Sequence, residues 1–116
     1  MFGFGKKKMF EQHQKHLYQC MHFGEFALDF AKQNADGDQV EFWTSKNGKL
    51  RRLKGASLRT GGILDKNDAT FIIAFLEKCE EVFYESDVSR DMTFEESFTP
   101  DDGWEVFYTE LKERIS

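Results

Sequence analysis

Proline, cysteine and long apolar runs are scarce in this chain. It has one Pro and two Cys, and no stretch approaches the roughly 18 apolar residues that span a bilayer. A transmembrane helix is therefore not expected. Cys20 and Cys79 lie far apart, each within an apparent helical pattern. Buried reduced thiols in a cytosolic protein are the expectation, with a single disulfide as the alternative. Disorder is not expected either, because 16% aromatic residues supply ample apolar area. Nucleotide-binding and catalytic motifs are missing too. Gly61-Gly62 precedes a helical pattern but lacks the G-x-x-x-x-G-K-[ST] frame of a phosphate loop.

What is present is charge, divided in two. Residues 1–60 carry eleven Lys/Arg and six Asp/Glu, a balance of +5, and residues 61–116 carry five and fifteen, a balance of −10. The halves sum to the net −5. Opposed fields steer charged partners, so the split speaks for binding more than for chemistry. Thirteen Phe are also many for 116 residues. They fill a core or, where exposed, serve as interface anchors. The length fits one domain, residues 1–116.

Along the chain, Phe10, His13, Leu17, Cys20 or Met21, Gly24, Ala27 and Ala31 predict a helix from about Lys8 to Asn34. Phe23, Phe26 and Phe30 add a second stripe, so this helix is expected to be covered on more than one side. Gly24 is a place for a break. Asn34-Ala35-Asp36-Gly37-Asp38 reads as a stop and a turn. Then Asn47-Gly48, between two β-compatible runs, predicts a type I′ hairpin over about 39–54. That register sets Trp43 against Arg52 and Glu41 against Lys54 on a wet face, with Phe42 and Leu53 on the core face.

A helix capped by Asn67 or Asp68 runs to about Tyr84, with Cys79 on its core face. Asp91–Glu95 reads as a short strand. Thr99, Pro100 and Asp102 mark the start of a last helix striped by Trp104, Phe107, Tyr108, Leu111 and Ile115. The fold class expected is α+β: a small antiparallel sheet packed with three helices.

His13, His16 and Cys20 could share a helix face as metal ligands, but no fourth ligand is evident and Cys20 fits an apolar stripe. No metal and no cofactor are expected. Lys46, Lys49, Arg51, Arg52, Lys54 and Arg59 form a basic cluster beside Trp43. Such a strip can bind nucleic acid, or pair with the chain's own acidic half. With a pI near 5.2, non-specific nucleic-acid binding is disfavoured. The acidic segment is the stronger lead. Glu95, Glu96, Phe98, Asp101, Asp102 and Trp104 set aromatic anchors among carboxylates. Charge of this kind raises on-rates, and aromatics lengthen residence.

The opening Met1-Phe2-Gly3-Phe4-Gly5-Lys6-Lys7-Lys8 resembles the starts of some small bacterial toxin-immunity proteins, including those of contact-dependent growth inhibition. The resemblance implies a cytoplasmic, non-enzymatic protein that blocks one cognate toxin, and it assigns no functional residues. The charges follow two Phe, the wrong order for a secretory signal. The expected function is thus an immunity-type inhibitor of a positively charged protein, with the six residues above as its partner-binding set. The alternatives are an acidic secretion-type chaperone or adaptor, and a small metal-dependent or nucleic-acid-binding protein.

Overall fold

The computed structural model describes the backbone of residues 2–60, 64–98 and 104–115, and the side chains of 14–59, 64–94, 96–97 and 108–115. Among these residues lie α1 (Phe2–Gln33), α2 (Gly37–Thr60), α3 (Lys66–Glu85), α4 (Phe94–Phe98) and α5 (Trp104–Ile115). A 3₁₀ turn, Asp87–Arg90, precedes α4. No strand occurs among the described residues, so the expected α+β fold is corrected to all-α.

The hairpin is where the sequence misleads. Residues 39–54 lie wholly inside α2. Trp43 is not on a wet face opposite Arg52 but in the core, 1% exposed, edge-on to Phe75 at 5.6 Å. An Asn and a Gly in mid-helix together cost about 1.5 kcal/mol relative to Ala. Burying Trp43 and Leu50, both on one side of α2, returns about 1.5–3 kcal/mol each. Among the described residues of α2, the buried ones are Trp43, Asn47, Leu50 and Ser57, at i, i+4, i+7 and i+14. That spacing is helical, and it outweighs the local turn signal.

Asn47 also has a tertiary role. Its Nδ2 donates to the carbonyl of Gly24 across the α1–α2 contact, at 2.9 Å. A Cβ on Gly24 would stand 2.0 Å from Asn47 Oδ1 and 2.8 Å from Phe75 Cζ. Gly24 is thus the notch that receives Asn47, and α1 runs unbroken through it.

The turn at residues 34–36 joins two helices. Asp36 N donates to Ala31 O and Ala35 N to Lys32 O, both at 3.1 Å, and Ala35 has φ 52°. This is a Schellman closure with alanine where glycine is usual. Asp36 then caps α2, its Oδ1 accepting from Gln39 N at 3.2 Å.

In α3 the core face comprises Ala69, Ile72, Ile73, Phe75, Leu76, Cys79, Val82 and Phe83. Its cap is Asp65, whose Oδ1 accepts from Asp68 N at 2.8 Å, so the helix starts earlier than Asn67 or Asp68 predicts. The strand expected at 91–95 is replaced by a capped helix start. Thr93 Oγ1 accepts from Glu96 N at 3.2 Å and donates to Glu96 Oε1 at 3.2 Å, so Thr93 caps the helix with the first half of a capping box. Arg114 Nη1 donates to Leu64 O, tying α5 to the start of α3. The expected cap at Thr99, Pro100 and Asp102 lies outside the described residues. As the width of its apolar face predicts, α1 packs on both α2 and α3.

Candidate functional site

Two aromatic clusters organise the molecule. In one, Phe23 packs on Phe94 at 4.5 Å, and Phe83 meets Phe94 at 5.7 Å and Tyr84 at 5.1 Å between ring centres. In the other, Trp43 lies between Phe42 and Phe75. Among the described residues, Phe23, Phe75, Phe83 and Phe94 are buried in the core.

Above the first cluster opens an apolar cleft of about 560 Å³. Its floor is Phe23 and Phe83, and its walls are His22 and Phe26 of α1 against Val88 and Met92. Val88 and Met92 are 39% and 38% exposed, unusual for apolar side chains in so acidic a segment. His22 is held edge-on by Tyr18 at 4.7 Å. Phe94 N donates to Tyr84 Oη at 3.2 Å, which pins α4 beside the cleft.

The surroundings are negative. Between residues 77 and 97 stand eight carboxylates against Lys78 and Arg90. Exposed Asp87 and Asp91 adjoin Val88 and Met92 in the chain. Arg90 is already engaged by Asp87 at 3.4 Å. Asp29 lies seven residues beyond His22, on the same helix face.

Of the residues expected to bind a partner, Glu96 is exposed, and its Oε1 also accepts from the Thr93 hydroxyl at the start of α4. Phe98 ends α4 and Trp104 begins α5, but their side chains, and that of Glu95, lie outside the described residues, as do Asp101 and Asp102 entirely. The sequence reading missed Val88 and Met92. An apolar pair at i, i+4, each residue directly after an Asp (Asp87 and Asp91), is the signal that marks them.

A second concavity runs between α2 and α3 as two adjoining clefts of about 480 and 430 Å³. Both include Phe42, Trp43, Lys78 and Glu81 in their walls. Its charge is mixed. Lys78 pairs with Glu81 at 3.2 Å, Lys49 sits over Phe71 at 4.6 Å, and Lys46 over Phe42 at 5.5 Å.

The groups considered for chemistry are held away from it. Cys20 and Cys79 are free thiols buried in the core. Burial raises both above the ordinary thiol range, and for Cys79 the nearby Cys20 adds to the effect. A buried thiol kept protonated is neither a nucleophile nor a ligand. His16 is fully buried, with Nδ1 2.9 Å from Gln19 Oε1. The His13 side chain lies outside the described residues, among which no group of three metal-capable side chains occurs. No described helix is long and apolar enough to cross a membrane.

No protein-family model, curated protein or solved structure matches the chain.

Proposed function

We propose that the chain is a non-enzymatic binding protein, an immunity-type inhibitor that holds a positively charged protein at its acidic face. The observation that carries this reading is the apolar cleft between α1 and the Asp87–Ser97 segment, set in a carboxylate-rich surface. An apolar side chain of the partner enters the cleft, while its Lys and Arg meet Asp87, Asp91 and Glu96. Charge sets the approach and the cleft sets the residence time.

The test is capture of a partner from the source cells at low salt, followed by its identification and by stopped-flow kinetics. The expected partner is basic, and its association slows as salt screens the field over about 10 Å at 0.1 M. Met92→Asp speeds dissociation at a hot-spot cost of about 2 kcal/mol or more. Asp87→Asn with Asp91→Asn mainly slows association. An acidic partner, or an association rate indifferent to salt, overturns the reading.

A further inference from the structure

The chain itself engages only part of the basic strip: Lys46 and Lys49 lie over Phe42 and Phe71, and the Lys49 charge acts on Asp68 of the acidic half. Among the described residues, the ion pairs Lys78–Glu81 and Arg90–Asp87 are local to the acidic half. Among the described residues, Arg51, Arg52 and Arg59 have no carboxylate within 4.0 Å, and all three stand exposed on α2. From Phe42 to Leu64 the sequence has six cations and not one Asp or Glu. The self-neutralised reading therefore fails for Arg51, Arg52 and Arg59, which are left for something outside the chain.

The face has a repeated unit. Arg52 Nη1 lies 3.4 Å from where a Cβ of Gly48 would be, and Arg59 Nη1 lies 3.4 Å from the same point on Gly55. Each guanidinium thus folds back over the glycine one turn earlier. The units Gly48-x-x-x-Arg52 and Gly55-x-x-x-Arg59 stand seven residues apart, on one stripe of the helix. At 1.5 Å per residue the two arginines are about 10 Å apart along the axis. That is about three nucleotide steps of about 3.4 Å along one strand. Between and beside them the face carries Thr44, Ser45, Gly48, Gly55 and Ala56. These small residues let a backbone approach the helix between the arginines, and the exposed Ser45 hydroxyl is a phosphate donor; that of Thr44 already donates to the Val40 carbonyl at 2.7 Å.

We propose that this outer face of α2 binds the phosphodiester backbone of a nucleic acid without reading sequence. Arg52 and Arg59 grip phosphates, and Arg51 lies alongside. A protein partner fits this face poorly. Protein interfaces rest on buried aromatic or large apolar anchors, and Leu58 is the one large apolar side chain exposed on α2 among the described residues. A polyanion needs no anchor, since release of its counterions drives binding. The net charge of −5 is not an obstacle at this distance. The molecule is 28 and 23 Å across its shorter axes, while the screening length is about 8 Å at physiological salt. Glu41 shares the stripe, but eleven residues before Arg52, about 16 Å up the helix. The acidic half then orients the approach by repelling the polyanion from the opposite field. This site is independent of the cleft beside Val88 and Met92.

The experiment is fluorescence anisotropy of the whole chain against a 24-base-pair DNA duplex and an RNA duplex of the same length, from 50 to 200 mM salt. Sedimentation of the protein alone runs in parallel. Three phosphate contacts give a log–log salt slope of about −2.7, a loss of about forty-fold across that range. Arg52→Gln with Arg59→Gln, both exposed, leaves the helical circular dichroism unchanged and reduces the slope to about −1. Asp87→Asn leaves it unaltered. Binding of either duplex with this loss supports the proposal. No binding of either at 50 mM salt overturns it, as does binding that the arginine pair does not weaken. So does salt-sensitive self-association that the pair abolishes while neither duplex binds, which assigns the face to a second copy of this chain.

Discussion

Replacing Gly24 with alanine tests the central contact of the fold. In an isolated helix the change stabilises by about 1 kcal/mol. Here the new methyl meets Asn47 Oδ1 at 2.0 Å, Phe75 Cζ at 2.8 Å and Asn47 Cγ at 2.9 Å. None of these separations can persist, and two neighbours must move together. Asn47 is buried, so displacing it breaks its bond to the Gly24 carbonyl without exposing the amide to water. Overpacking costs about 1–3 kcal/mol, and a buried polar group left unpaired costs about 1–3 kcal/mol more. Set against the propensity gain, the net loss is about 1–5 kcal/mol. At roughly 4 °C per kcal/mol for a chain of this size, the melting temperature falls by about 4–20 °C. Urea unfolding followed by far-UV circular dichroism reads the change as a lower midpoint at constant slope. Asn47→Ala in the same background relieves part of the clash, so the two substitutions couple by about 1–3 kcal/mol. A Gly24→Ala protein as stable as the parent, or strictly additive single and double variants, would refute the notch.

Ala35 sits at φ 52°, so Ala35→Gly raises stability by about 1 kcal/mol in the same urea assay; a loss would show that the helix end is not held in the left-handed conformation. Asp68 is pushed above the ordinary carboxylate value of 3.8, first by burial and then by the Asp65 charge. The folded state thus binds the proton more tightly than the unfolded chain, and stability declines as pH rises from about 4 through the raised value. Asp68→Asn therefore raises the melting temperature at pH 7 and leaves it unchanged at pH 3; equal shifts at both would point to packing instead. Cys20 and Cys79 are buried and held protonated. A colorimetric thiol reagent at pH 8 should label neither promptly in the native protein and both in denaturant. Their raised values favour the folded state below the ordinary thiol value of 9.0, a contribution lost as pH rises above it.

The periodicity of α1 and α3 was written in the chain. Leu17, Cys20, Gly24, Ala27 and Ala31 are buried as their spacing predicts, and so is Cys79. In both, apolar residues repeat with the period of the helix, and no turn residue competes strongly. The charge division needed no structure to be seen either, because it is a sum over residues. Residues 39–54 were not legible in this way. Asn47-Gly48 is a turn signal read locally, and only the arrival of α1, with Gly24 opposite Asn47, turns it into a helix contact. The site divides along the same line. Carboxylates and aromatics near residue 95 were visible, but the cleft joins Val88 and Met92 to His22 and Phe26 from 60 to 70 residues earlier. Likewise, the basic run could be counted, but whether it is neutralised depends on which helix faces it. Local spacing determines the elements. Contacts between residues distant in sequence, where a missing Cβ or a buried amide outweighs local preference, decide how they pack and which charges are left unpaired.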